Sequence, residues 1–172
     1  MARYRIVPER SRVWIDARSS LHPIHTETEG LEGWLELDLA AAGGPVDLTV
    51  APSGHLELAV DRLTSGNPVE DRELRRRIDA RRHPTIAGDL TLLQETGTEG
   101  RYLVGGDLTF MGTTRSYKDQ MTVEGVDART VRLEGTSTFD IRDFGMAPPR
   151  ILMFKVEPQV TVRVDLVAER TE

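Results

Sequence analysis

Along residues 102–110, Tyr102, Val104, Gly106, Leu108 and Phe110 alternate with Leu103, Gly105, Asp107 and Thr109. Residues two apart project to one face of a strand, so this segment predicts a strand with one apolar face. The same beat recurs in Val13, Ile15 and Ala17, in Leu31, Gly33, Leu35, Leu37 and Leu39, and in Leu56, Leu58 and Val60. It returns in Ile86, Gly88, Leu90 and Leu92, in Tyr117, Asp119, Met121 and Val123, and in Val131 through Phe139 and Ile141. Val160, Val162, Val164, Leu166 and Ala168 make the last apolar face. Many such strands imply an antiparallel sheet that curls to bury one inner face, and a barrel of about eight strands encloses room for one small guest.

Three segments break the pattern. Residues 21–29 are polar and contain Pro23, so they read as irregular. Over 67–82 the period lengthens: Asn67-Pro68 offers an N-cap and a first-turn proline, with Glu70 and Asp71 following. This predicts one helix lying across the barrel, with Val69, Leu74 and Ile78 inward and Arg75, Arg76 and Arg77 outward. Residues 144–156, rich in proline and apolar side chains, read as a long loop. No internal repeat or linker divides the chain, so residues 1–172 are expected to form a single, mainly β domain.

Composition narrows the function classes. The net charge of −6 argues against a nucleic-acid partner, since such binding rests on phosphate neutralisation by Lys and Arg. The chain has no cysteine, which excludes disulfides and thiolate chemistry. No apolar run approaches the roughly 20 residues that span a bilayer, so stable membrane insertion is not expected. Met1-Ala2-Arg3-Tyr4-Arg5 leads into strand-like sequence without a signal-peptide core, which gives a cytoplasmic expectation.

Several short stretches follow one another in an order that resembles the YceI-like family. They are Tyr4-Arg5-Ile6, Ser11-Arg12-Val13, Thr64-Ser65-Gly66-Asn67, His83-Pro84-Thr85-Ile86, Gly106-Asp107-Leu108-Thr109, Gly112-Thr113-Thr114 and Asp143-Phe144-Gly145. Together they span nearly the whole chain. The resemblance implies a lipocalin-like antiparallel β-barrel that holds an isoprenoid or similar amphiphile in its bore, commonly as a homodimer. The chain departs from the family where a Phe pair often precedes the Tyr-Pro-Thr-Ile stretch, having Ala80-Arg81-Arg82-His83 instead. Met111 stands where a turn histidine is common, and Ile141 where an arginine is. The aromatic lining is thinner as a result.

The candidate bore follows from the strand phase. Val104, Leu108, Phe110, Met121, Leu133, Phe139 and Val162 are expected to line it, with Tyr117 and Asp119 as polar contacts. Met153 and Phe154, in the 144–156 segment, would join them if that loop is a lid or a subunit contact; a plug completing the core is the other reading. Gly88, Gly106 and Gly135 lie on the inner phase, where they either leave space or mark bulges. Asp119 is the anomaly, because an unpaired buried carboxylate is costly. It either meets a polar headgroup, or marks a slipped register or a wet barrel mouth.

Other features have plainer accounts. The arginines at 72, 75–77, 81 and 82 alternate with acids, which suits a solvated helix face laced with ion pairs better than a phosphate or membrane site. His22 and His25 flank Pro23 and lack a clear third metal ligand. Trp14 and Trp34 fall on outer faces, as a dimer contact or as cross-strand packing. No nucleophile or phosphate-loop motif is present, so no catalytic residue, metal or cofactor is assigned. The reading is non-enzymatic binding of a hydrophobic or amphiphilic small molecule, isoprenoid- or lipid-like. The alternatives are an enzyme acting on an apolar substrate in the bore and a structural or stress-related dimer with a filled barrel.

Overall fold

The computed structural model describes residues 1–148, 150–151 and 154–171; the side chains at 150, 151 and 154 are not among them. The strands are β1 (Ala2–Ile6), β2 (Arg12–Ser19), β3 (Pro23–Thr28), β4 (Glu32–Leu39), β5 (Val46–Asp47) and β6 (Ser53–Ala59). Helix α1 (Pro68–Ile78) follows, then β7 (Thr85–Glu95), β8 (Arg101–Phe110), β9 (Thr113–Gly125), β10 (Thr130–Asp140), β11 (Arg150–Ile151) and β12 (Phe154–Arg170). Eight of them pair antiparallel in the order β1-β4-β6-β7-β8-β9-β10-β12, and β12 returns to β1 through Ile6–Ala168 and Tyr4–Arg170. The sheet is therefore a closed barrel.

Closure relies on β12, which serves two partners along one side. Its end pairs β1, and its middle pairs β2 from Asp165–Arg12 to Val160–Ala17. Between β1 and β2 the chain leaves the ladder in a 3-10 turn over Pro8–Arg10. The hydroxyl of Ser11, 3% exposed, fills the gap. It donates to the Val167 carbonyl at 3.2 Å and accepts from the Val167 N–H at 3.0 Å.

The alternation read from the sequence recurs as inward burial, with instructive exceptions. Residues 23–28 are strand β3, not an irregular segment, with Ile24, Thr26 and Thr28 buried. Pro23 is tolerated because it is the first residue of a strand that pairs on one side with β2. Leu92 does not point inward. The register slips between Leu90 and Leu92, so Leu93 pairs with Val104 and takes the inner place while Leu92 pairs with Gly105. In α1, Val69 is 49% exposed and the acids Glu70 and Asp71 are buried instead. Leu74 and Ile78 face the barrel as the apolar pattern suggests, and Glu70 rather than Val69 extends their stripe.

The helix begins at Asn67, whose Oδ1 accepts from the N–H groups of Val69 and Glu70 at 3.0 and 3.3 Å. It ends at Asp79, in the left-handed region at φ 56°, earlier than the 67–82 expectation. Glu73 pairs with Arg76 and Arg77 on the solvent side, as the ion-pair reading of the arginine cluster expects. On the barrel exterior, Arg163 stacks over Trp14 and Arg3 over Trp34, at 4.0 and 4.6 Å from the ring centroids. Among the described residues no helix is long and apolar enough to cross a membrane.

The two ends of the barrel differ. At the end holding the β9–β10 hairpin, Tyr4, Leu37, Val46, Tyr102, Val123 and Val131 are all buried and form a solid floor. The other end is loosely filled. Replacing Ser11 by alanine should expose the design of the seam: the Val167 N–H would be left buried without an acceptor. The expected cost is about 1–3 kcal/mol in urea unfolding, with an unchanged slope in denaturant; a loss within a few tenths of a kcal/mol would refute the role assigned to this hydroxyl.

Candidate ligand-binding cavity

Above the floor lies a cavity of about 430 Å³, within the roughly 300–1,000 Å³ typical of small-molecule sites. Its walls come from alternate residues of β2, β6–β10 and β12, including Ile15, Leu56, Ile86, Leu108, Phe139 and Val162. Helix α1 contributes Leu74 and Ile78 from one side. After β10 a 3-10 helix, Ile141–Phe144, folds Phe144 back over the opening. Phe144 meets the ring edges of Phe110 at 5.7 Å and lies 5.9 Å from Tyr117.

The structure brings together the residues singled out from the strand phase. Val104, Leu108, Phe110, Met121, Leu133, Phe139 and Val162 all line the cavity, as do Tyr117 and Asp119. Met153 lies outside the described residues, as does the side chain of Phe154. Strand phase did not supply Thr26, Leu74, Ile78, Phe144 and Met146, which also line it. The first was hidden by the polar composition of β3, although Thr26 and Thr28 alternate with His25 and Glu27. Phe144 and Met146 are buried against the cavity, which favours a wall over a free lid for the start of the 144–156 segment.

The three inner glycines have different uses. A Cβ at Gly88 would meet nothing within 4 Å, so this glycine widens the bore. At Gly135 a Cβ would lie 2.6 Å from Met121 Cγ, so the glycine admits that side chain. Gly106, with Gly105, sits opposite the register slip in β7. Space and bulge are both realised, at different positions.

Polar groups gather where the wall opens. The β9–β10 ladder runs from Gly125–Val131 to Met121–Gly135 and goes no further toward the mouth. Beyond that point only side chains join the strands. Ser137 Oγ donates to Asp119 Oδ2 at 2.7 Å, and Tyr117 packs edge-on against Phe139 at 4.7 Å. Asp119 Oδ1 accepts from the Gln120 N–H at 2.8 Å. Asp119 thus keeps the inner phase of Tyr117 and Met121 without a slipped register, and it is exposed because the strands part beside it. Nearer the mouth, the Tyr117 hydroxyl donates to Asp143 Oδ2 at 3.2 Å. Burial first, then this carboxylate, raises the Tyr117 pKa above its ordinary value.

On the helix side, Asp71 accepts from the Ser65 N–H and hydroxyl at 2.8 and 2.7 Å and from Thr64 Oγ1 at 3.2 Å. Glu70, 7% exposed, faces His22 Nε2 at 3.7 Å. His25 instead contacts Asp16 at 2.6 Å on the outer face, so the two histidines do not converge.

A closed antiparallel barrel with a solid floor, an apolar bore and a polar rim has the architecture of small-molecule-binding barrels. The sequence matches the model of the YceI-like domain over residues 4–168, and the chain belongs to that family. Among solved structures it is similar to Burkholderia cenocepacia BcnA, at 16% identity and a TM-score of 0.79 over 94% of this chain and 98% of that one. A polyisoprenoid binding domain from Saccharophagus degradans implicated in plant cell wall breakdown is similar at 12% identity and TM-score 0.76, with 99% of each chain covered. The Campylobacter jejuni YCEI protein aligns at 12% identity and TM-score 0.68, over 86% of this chain and 85% of that one. At these identities the likeness shows a shared fold. No curated protein matches the sequence.

The rim makes a titration prediction. A tyrosine whose folded pKa is raised contributes stability below its unfolded value near about 10, and loses it as pH climbs through the folded value. Asp143→Asn should move Tyr117 ionisation down toward the ordinary value while burial keeps it above, and should soften the alkaline loss of stability. Tyrosinate absorbance during a pH titration of the two proteins checks this; an unmoved curve would refute the hydrogen bond's part in it.

Proposed function

We propose that this protein binds and carries a hydrophobic or amphiphilic small molecule, isoprenoid- or lipid-like, in its bore without transforming it. The observation that carries the reading is the apolar cavity of about 430 Å³ above a packed floor. Family membership and the similarity to a polyisoprenoid binding domain support the same class of guest.

The energetics favour hydrocarbon. Burying a ten-carbon chain is worth at most about 8 kcal/mol at about 0.8 kcal/mol per methylene. One hydrogen bond to a charged group adds about 1.5–3 kcal/mol. The tail therefore dominates affinity, and the polar groups near the mouth fix its orientation.

Organic extraction of the purified protein followed by mass spectrometry should yield a stoichiometric lipid-like compound. Gly88→Phe should fold normally, because a side chain there enters open space, and should weaken binding of an uncharged apolar dye by about tenfold or more. A protein that yields no such compound and binds no apolar dye would overturn the reading.

A further inference from the structure

The charges that border the bore are mainly negative. Among the described residues lining the cavity there is no Lys or Arg, whereas Glu70, Asp71, Asp89, Asp107 and Asp119 are present, and the one histidine of that lining, His55, is tied to Asp89 at 2.6 Å. Of the nearby rim arginines, Arg142 forks onto Asp140 at 2.6–3.1 Å, and Arg115 Nε is turned to the Asp143 carbonyl at 2.9 Å. Asp71 is already held by three donors. Asp119 is different. It has two donors, Ser137 Oγ and the Gln120 N–H, and its remaining surface is open at the gap between β9 and β10.

A headgroup that docks beside Asp119 displaces part of the water solvating it. A carboxylate stripped of water is tolerated when a donor replaces it, and opposed when a second anion does. Guanidinium and ammonium groups recognise phosphates, and the described lining offers neither. We infer that this bore selects amphiphiles whose polar group donates hydrogen bonds, a protonated amine or an alcohol, and discriminates against phosphate-headed amphiphiles of the same tail. The head docks on Asp119 and Ser137 beside the gap, and the tail occupies the apolar bore. The inference rests on the carrier reading proposed above.

The test compares three amphiphiles sharing one tail, dodecylamine, dodecanol and dodecyl phosphate, each used below its micelle concentration to displace an uncharged solvatochromic dye from the intact protein. The amine or the alcohol should displace the dye at concentrations about tenfold lower than the phosphate, and which of them does so identifies the donor. Asp119→Asn keeps an acceptor for Ser137 or Gln120 and should narrow that gap to about threefold or less. Glu99→Gln removes the same charge from an exposed loop and should leave the gap unchanged, excluding general attraction to an acidic surface. Equal or tighter binding of dodecyl phosphate, or a gap that moves equally in both variants, would overturn the inference and leave the carrier reading standing. If no amphiphile displaces the dye and the dye itself fails to bind, the carrier reading falls, and this inference with it.

Discussion

The barrel depends on one seam, where a serine hydroxyl takes the place of a strand residue. β12 is too long for any single neighbour on that side, so β1 covers its end and β2 its middle. The chain between them must step out of the sheet; the Val7 N–H still reaches the Val167 carbonyl at 2.8 Å, but the buried Val167 N–H would be left without an acceptor. Ser11 Oγ both donates and accepts there, which a hydroxyl can do and a backbone group cannot. With the seam made, the ring has no free edge between its first and last strands. Every alternating face must then point into the same interior, so closure turns a two-residue sequence rhythm into a cavity.

Whether that interior is solid or hollow is decided by side-chain size at each level. Toward the floor, Tyr4, Tyr102 and Leu37 span the lumen, and Tyr102 also accepts from the Val46 N–H at 3.0 Å, tying the β5 segment beneath them. Nearer the mouth, Gly88 adds nothing to the lumen, and Ser137 and Ala17 add little. The parting of β9 from β10 widens the same level. The bore is hollow because small residues and a broken ladder coincide in height, while the floor supplies much of the burial that holds the fold.

Much of this was readable in advance. Strand phase gave the inner faces of β2, β4 and β8–β10, because those strands obey the two-residue period without interruption. It failed where local geometry overrides the period. The bulge in β7 moves Leu92 outward and Leu93 inward, and nothing in Leu90-Thr91-Leu92-Leu93 marks which residue is extra. β3 was missed because its inner positions include threonines, whose burial depends on a closed neighbour rather than on their own hydrophobicity. The buried acids of α1 were missed because the helix faces a polar seam at Ser65 and His22, a tertiary contact that an amphipathic count takes for solvent. The part of Asp119 was undecidable from sequence alone. Its phase said inside and its charge said outside, and only the end of the β9–β10 ladder reconciles the two.

That reconciliation bears on selectivity more than on affinity. Burial of hydrocarbon is non-directional, so an apolar tube alone ranks guests by little beyond length and girth. Discrimination needs a group that is unfavourable to cover wrongly, and a carboxylate at the edge of an apolar bore is such a group. Water reaches Asp119 through the opening in the wall, which lets the empty barrel tolerate the charge. Once a headgroup covers that opening, the same charge acts against any guest that cannot answer it. One strand separation thus permits the acid in the free protein and makes it selective in the occupied one.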